Sequence, residues 1–316
     1  MMKRTRQFLF VCLLILPFAT GQIIGAQPTA GLADIVEPSA PERIATGFSF
    51  TEGPVWHPDG YLLFTDIPAN RIYKWTQDYR VEIVRSPSGH SNGLTFDRQG
   101  RLIACEHSNR RVSRTELDST IVTLVDNYEG KKLNSPNDAV VKSDSSIYFT
   151  DPPYGLTSAF GVSGLQELSF EGVYRILPVD SRLTLLVDNI YNPNGLAFST
   201  DERLLYVASS SARCIYAFDV QVDGTLANRH VFANVLGSPD GIKVDSLGNL
   251  YVTTGSFNVQ VYDRMGTRLG NIAIPEPTSN CAFGGRDYTM LFITARTSVY
   301  RIKLKVPGVP TIPSQN

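Results

Sequence analysis

The sequence predicts an all-β protein with the architecture of a six-bladed β-propeller. Three observations favour this fold: a short phrase recurs six times, runs of strand-forming residues follow each copy, and no segment longer than a turn or two has helical periodicity. The copies are separated by 40, 45, 57, 46 and 40 residues and begin at Thr51, Ser91, Pro136, Pro193, Pro239 and Ser279. Units of four short strands repeated at this period are typical of propeller blades.

The last unit predicts how the ring closes. It ends after its third strand run, "SVYRIKLKV", whereas the other units are followed by a fourth run. The run "ERIATGF" at residues 42–48 precedes the first phrase as the fourth strands precede the others. We therefore expect this N-terminal strand to complete the last blade, which removes the unpaired edges of an open array. A solenoid is the alternative, but it needs polar capping repeats, and none is visible.

The chain before the propeller has the layout of a secretory signal peptide. Three cations, at Lys3, Arg4 and Arg6, precede an apolar run from Phe8 to about Ala19. The run is short for a membrane span, so an uncleaved anchor is the less favoured alternative. The sequence therefore predicts export, to the periplasm or out of the cell. The expected domains are a signal peptide at 1–26, a linker at 27–41, the propeller at 42–305 and a proline-rich tail at 306–316.

Composition excludes several classes of function. A net charge of −1 and a pI near 6.4 provide no basic surface for nucleic acid. No other run is apolar enough to cross a bilayer, so no membrane contact is expected after signal cleavage. The mature chain keeps Cys105, Cys214 and Cys281, an odd number without a CxxC or Cys/His pattern, so the fold does not depend on disulfides or structural zinc.

The second residue of every phrase is polar, and this regularity predicts the functional site. In a propeller the first strand of each blade lines the central channel, so six such residues converge at one mouth. Asn and Asp also favour turns before strands, which is the structural alternative for any one of them. Six at one register, with two carboxylates and no lysine, favour a functional ring. Its members are Glu52, Asn92, Asn137, Asn194, Asp240 and Asn280.

The chemistry of this ring is restricted to oxygen donors. Carboxylates and carboxamides suit Ca²⁺ best, and Mg²⁺, Mn²⁺ or Zn²⁺ are alternatives. A divalent metal is therefore the expected cofactor.

A second set of polar residues follows each ring position by fourteen or fifteen residues, where the second strand returns to the same mouth. Asp151 belongs to this set, and His107 and Tyr154 neighbour it. With Asn92 and Asn137 they are the expected substrate contacts, the alternatives being a strand-end turn or a surface imidazole. The extra residues of the long third unit, around Leu156–Phe170, are expected on this same face as a lid.

Several phrases together resemble a known family of six-bladed propellers. The stretches "EGPVW", "NSPNDAVV…YFTDPPYG", "NPNGLAFS" and "SPDGIKVDSLGNLYV" resemble the senescence marker protein/gluconolactonase family. "SNGLTFDRQGRLIACEHSNRRV" and "NCAFGG" look like its microbial gluconolactonase branch. The resemblance covers roughly residues 45 to 305. It implies that Glu52, Asn194 and Asp240 are metal ligands and that Asn137 serves metal or substrate. Ser135 stands where the animal branch has an arginine, so contacts of that arginine do not carry over.

The resemblance implies hydrolysis of a small-molecule sugar lactone, as in the conversion of glucono-1,5-lactone to gluconate. The metal would polarise the carbonyl, and Asp240 would activate water as base, act as ligand, or both. The alternatives are a phosphotriesterase or other esterase at the same site, and a non-catalytic, calcium-stabilised propeller that binds a partner. The G-x-S-x-G match "GHSNG" is not interpreted as a serine hydrolase motif, because that elbow needs a strand, a turn and a helix.

Overall fold

A computed structural model describes residues 31–178 and 180–312. The predicted signal peptide lies outside these residues, so its presence stays a prediction. No helix within the two ranges has the length and apolar character needed to span a bilayer.

The described residues form six four-stranded antiparallel sheets, which are the blades, and their first strands contact one another in cyclic order. This confirms the predicted six-bladed β-propeller. Blade I contains β2 Thr51–His57, β3 Tyr61–Asp66, β4 Arg71–Thr76 and β5 Val81–Arg85. Blade II contains β6 Ser91–Phe96, β7 Leu102–Glu106, β8 Arg111–Thr115 and β9 Ile121–Val125. Blade III contains β12 Ala139–Val141, β13 Ile147–Asp151, β14 Gly172–Ile176 and β15 Leu183–Val187.

The second half of the ring repeats the pattern. Blade IV contains β16 Pro193–Phe198, β17 Leu204–Ser209, β18 Cys214–Val220 and β19 Leu226–Asn234. Blade V contains β20 Ile242–Val244, β21 Leu250–Thr253, β22 Asn258–Tyr262 and β23 Arg268–Ala273. Blade VI contains β24 Thr278–Gly284, β25 Met290–Ala295 and β26 Ser298–Lys303, with β1 Glu42–Thr46 as its outer strand. Smaller elements are α1 Leu32–Ile35, the hairpin of β10 Asn127–Tyr128 and β11 Lys131–Lys132, and a 3₁₀ helix at Tyr154–Leu156.

Ring closure follows the prediction. Strand β1 pairs antiparallel with β26, with Glu42 opposite Arg301 and Thr46 opposite Ser298. The first strand therefore completes the last blade, and the two ends of the propeller are joined by a sheet rather than by loop contacts. This pairing covers the edge that blade VI would otherwise expose.

The core lies between the blades, where apolar faces of neighbouring sheets meet. At the junction of blades VI and I, Trp56 stacks on Phe292 with ring centroids 5.1 Å apart. Ile44 of β1 is 6% exposed and packs in the same cluster, which also contains Trp75. Aspartate-bearing turns join the first two strands of blades; in blade V, Asp245 accepts hydrogen bonds from the backbone of Leu247 and Asn249 at 2.9 Å each.

The segments on either side of residues 42–305 also pack against the propeller. Ile35 of α1 is 2% exposed against blades V and VI. The C-terminal segment forms a bridge between Gly308 and Asp245 of blade V, and then buries Ile312 against Val55 and Phe96 of blades I and II. It thus crosses the channel at the mouth where the first strands end.

We expect Ile44→Ala to destabilise the protein through the ring junction. Removing three methyl or methylene groups from this packed site should lower the free energy of unfolding by about 2 to 5 kcal/mol. Urea denaturation would measure the change. Arg43→Ala, at the exposed neighbouring position of β1, is the matched control and should shift stability by about 0.5 kcal/mol or less. Equal effects of the two substitutions would contradict a structural role for β1 in closure.

Candidate active site at the channel mouth

The polar ring converges because neighbouring first strands approach each other closely. Gly93 N donates to Asn137 O at 2.8 Å, and Gly195 N donates to Asp240 O at 3.1 Å. The glycine after the ring residue allows this contact: a Cβ on Gly93 would lie 2.6 Å from Asn137 O, which no side chain tolerates. The "NG" and "DG" pairs of the phrases therefore serve close packing of the blades around the channel.

Two blades have no glycine after the ring residue, and in one of them a carboxylate stands there instead. In "PNDAVV" the position after the ring residue is Asp138, which is 2% exposed. Its Oδ1 accepts from Ala139 N at 2.9 Å, while Oδ2 has no hydrogen-bond partner among the described residues. Lys243 Nζ lies 3.8 Å from Oδ2. The sequence interpretation missed both residues, although the break in the phrase was a visible signal.

Burial and mutual repulsion raise the pKa values of the ring carboxyl groups. Burial raises the pKa of Glu52 to about 7, and the neighbouring Asp138 carboxyl adds to the effect. The pKa of Asp240 is raised well above its usual range, first by burial and then by Glu52 and Asp138. Burial also raises the pKa of Asp138, against the opposing effect of Lys243. This site therefore disfavours accumulated negative charge and would gain from a bound cation.

Hydrogen bonds orient the ring side chains. Glu52 Oε2 accepts from Gly53 N at 2.7 Å and from Asn280 Nδ2 at 2.9 Å. Asn194 Nδ2 donates to Ser210 Oγ at 3.2 Å, which leaves the Asn194 oxygen available to the channel. Asp240 is partly exposed, whereas Glu52 is 3% exposed.

The donor set for a metal ion is mixed. Within residues 31–178 and 180–312, no three His, Cys, Asp or Glu side chains lie close enough together to hold an ion. An ion at the ring would therefore need carboxamide oxygens beside the carboxylates. Glu52, Asn194, Asp240 and Asn137 supply that combination, which is typical of hard, oxygen-preferring cations.

The predicted substrate contacts have different environments. Tyr154 is partly exposed, and its pKa is raised to about 12 chiefly by burial, with hydrogen bonding to Ser210 opposing the effect. Its phenol therefore lies beside the Asn194 part of the ring. Asn92 is 5% exposed, and its Nδ2 lies 3.2 Å from His107 Nε2. His107 is 1% exposed, so it lies behind Asn92 and is not a surface imidazole.

Asp151 does not face the channel, contrary to the expected substrate contact. It is fully buried, and its Oδ2 accepts from Asn134 N at 2.7 Å. Asn134 Nδ2 in turn donates to the carbonyl oxygen of Asp151 at 2.9 Å. These bonds fix the segment that leads into Asn137, so the side chain supports the ring from outside.

The insertion of blade III, residues 152–171, lies over the ring mouth, as expected for a lid. Phe160 packs edge-to-face on Phe50 of blade I with centroids 5.0 Å apart. Glu167 pairs with Arg110 at 3.1 Å. The insertion therefore reaches from blade III across blade II to blade I. Ser91 of the "GHSNG" match begins strand β6 and donates to Ser88 O at 2.7 Å, so no nucleophile elbow forms there.

The fold and the ring together define a six-bladed propeller with an oxygen-lined site at one mouth of its channel. The family model described as "SMP-30/Gluconolactonase/LRE-like region" matches residues 50–297. The gluconolactonase of Zymomonas mobilis is 36% identical over 303 residues, which cover 87% of this chain and 84% of the relative. The solved structure of a gluconolactonase from Xanthomonas campestris has a TM-score of 0.82 and 37% identity, covering 86% of this chain and 92% of that chain. Regucalcin of Oryctolagus cuniculus is 26% identical over 251 residues, 77% of this chain and 82% of the relative. The chain belongs to the SMP-30/gluconolactonase/LRE-like family, which confirms the resemblance found in the sequence.

We expect Asp151→Asn to change how stability depends on pH. Burial raises the pKa of Asp151 from 3.8 to about 7, so between these values the folded state holds a proton that the unfolded state releases. The free energy of unfolding should therefore fall as pH rises through this window. Asparagine keeps an acceptor for Asn134 N but cannot ionise, so the variant should lose less stability than the wild type between about pH 4 and about pH 7.

Melting temperatures across this range would test the expectation. Asp126→Asn, at an exposed carboxylate, is the control and should keep the wild-type profile. An unchanged profile in Asp151→Asn would show that the buried carboxyl ionises without cost to the fold.

Proposed function

We propose that the channel mouth hydrolyses a sugar lactone, with glucono-1,5-lactone as the leading substrate. The observation that carries the proposal is the ring itself: two carboxylates and four carboxamides meet at one mouth in a member of a family that includes gluconolactonases. The Xanthomonas campestris relative with a solved structure is also named a gluconolactonase. The reaction is ester hydrolysis, in which water adds to the carbonyl carbon and the ring C–O bond breaks.

Glu52, Asn194 and Asp240, with Asn137, would hold a divalent cation, with Ca²⁺ as the first choice. The residues fit such an ion because the raised pKa values of Glu52 and Asp240 indicate too little positive charge nearby. In addition, the enclosed Oδ2 of Asp138 has no hydrogen-bond partner among the described residues. When bound, a divalent cation polarises a carbonyl and stabilises the developing oxyanion.

Asp240 is the proposed general base. Its carboxylate would accept a proton from the attacking water, and the proton would then pass to the departing alkoxide oxygen of the lactone. A base works best when its pKa is near the operating pH, and the burial that raises the pKa of Asp240 acts in that direction. Asn137 and Tyr154 flank the same space and would orient the substrate. Export of the mature chain stays a prediction from its N-terminal sequence.

Chelation should abolish lactone hydrolysis and lower the melting temperature. An ion bound only by the folded state stabilises that state by mass action, so its removal costs both activity and stability. A pH-stat assay with and without EDTA, followed by addition of Ca²⁺, Mg²⁺, Mn²⁺ or Zn²⁺, would measure both effects alongside a thermal scan. EDTA saturated with Ca²⁺ is the matched control. The substrate panel should include simple esters and a phosphotriester, because preference for either would replace the lactone assignment. Full activity in protein shown by elemental analysis to be metal-free would rule out the metal.

Substitutions should separate metal binding from substrate orientation. Glu52→Gln keeps an acceptor for Gly53 and Asn280 but removes a charge, so metal affinity should fall and excess metal should restore part of the rate. Asn137→Ala should keep much of the metal affinity but lower kcat/KM by roughly 10 to 10³, as for a lost oxyanion donor. Asp240→Ala should be the most damaging.

Calorimetric metal titration beside lactone kinetics would test this set. Glu82→Gln, at an exposed carboxylate of β5, controls for loss of charge alone. Near-normal kcat in Asp240→Ala at saturating metal would remove Asp240 from the mechanism.

A further inference from the structure

We propose that His107 is a positioning residue that makes Asn92 present its amide oxygen to the channel, where that oxygen accepts a hydrogen bond from a substrate hydroxyl group. The lid of blade III takes part, because the carbonyl of Phe160 fixes which nitrogen of His107 carries the proton. The inference rests on the proposed lactonase function for the identity of the ligand, and on geometry alone for the orientation of Asn92.

His107 is held rigidly between blade II and the lid. It follows the last residue of β7 and is 1% exposed. Gly155 of the lid packs directly on it: a Cβ at Gly155 would lie 2.5 Å from His107 Cγ. Gly155 N also donates to Ser135 Oγ at 2.9 Å, which secures the lid at this point. The imidazole is therefore packed directly beneath the lid.

The two neighbours of the imidazole determine its tautomer. Nδ1 lies 2.8 Å from Phe160 O, and a carbonyl oxygen can only accept, so Nδ1 carries a proton. Burial lowers the pKa of His107 to about 4, so the ring is neutral at neutral pH. Nε2 is then an acceptor, and its partner at 3.2 Å must be the Asn92 Nδ2 donor.

This bond fixes the orientation of Asn92. With Nδ2 turned towards His107, Oδ1 points the other way. Among the described residues Asn92 Oδ1 has no hydrogen-bond partner, and it is not one of the enclosed polar atoms, so it faces the open channel. The opposite tautomer would require Oδ1 to face His107 and would present a donor to the channel instead. The Phe160 carbonyl thus decides whether Asn92 accepts or donates.

A polyhydroxylated lactone matches an exposed acceptor, whereas a lactone without hydroxyl groups does not. The lid residue that bonds to His107 is itself held over the ring, because Phe160 packs on Phe50 of blade I. The acceptor is therefore assembled only where the lid lies over the ring, next to the place where a substrate would be enclosed.

Kinetics on matched variants test the proposal. His107→Leu removes the acceptor for Asn92 and should raise KM for gluconolactone about tenfold, with a smaller change in kcat, while δ-valerolactone, which has no hydroxyl groups, should be affected much less. His107→Gln keeps an acceptor and should recover most of the loss. The double variant with Asn92→Ala should be no worse than Asn92→Ala alone, because His107 acts through Asn92. His230→Leu, at an exposed histidine of β19, is the control.

The outcomes separate this inference from the proposed function. Additive effects of the two substitutions, or equal losses on both lactones, would overturn the positioning role. Reduced metal affinity in His107→Leu, measured by calorimetry, would overturn the assignment of Asn92 to substrate.

Long-range ¹⁵N NMR of the histidine rings needs no activity: it should show the Nδ1–H tautomer of His107 at neutral pH, and the Nε2–H tautomer would overturn the geometry. If the wild type hydrolyses no lactone, the proposed function fails while this spectrum still decides the orientation of Asn92. If His107→Leu does not fold, Asn92→Ala, His107→Gln and the spectrum carry the test.

Discussion

The close approach of the first strands at the channel mouth is the constraint on which the rest of the structure depends. Backbone bonds such as Gly93 N to Asn137 O hold adjacent blades together at the height of the polar ring. In the four blades that have glycine after the ring residue, a Cβ would meet the next blade; at Gly195 it would lie 2.7 Å from Ile242 N. The same approach brings the ring side chains together, so packing of the scaffold and assembly of the site are one event.

Crowding of the ring has an electrostatic consequence. Carboxyl groups brought together in a buried place hold their protons more tightly, which is why Glu52 and Asp240 have raised pKa values. A cavity of about 640 Å³ opens at the other mouth of the channel. It is lined mostly by apolar residues of the strand ends, together with Lys243 and Thr311. The presence of a cavity therefore does not distinguish the two mouths, whereas the perturbed carboxyl groups point to the ring.

The repeat made the fold, the closing strand and the ring predictable, because each follows from one period applied six times. It was harder to predict which residue of each second strand lies on the same face as the ring residue. In blade I Asp66 lies opposite Thr51, and Thr65 lies opposite Glu52, so Asp66 shares a face with the residue before the ring position. Asp66 accordingly accepts hydrogen bonds from the backbone of Ser49 and Phe50. In blade III Thr150 bonds to the backbone of both Asn137 and Asp138, which leaves Asp151 beyond them, beside Asn134. A one-residue offset of this kind is decided by local bulges, which spacing does not reveal.

Departures from the repeat carry the features that a symmetric propeller cannot supply. Six identical blades would place six identical side chains around the channel, and such a ring could not bind a substrate in one orientation. Asp138 replaces a glycine and adds a buried carboxylate to one side of the ring. The lid of blade III then covers that side and reaches His107 across 53 residues of sequence, a contact that no periodicity predicts. Because the lid belongs to one blade only, it distinguishes Asn92 from the other ring carboxamides. The scaffold supplies convergence, and the irregular blade supplies the asymmetry that orients a small polar substrate.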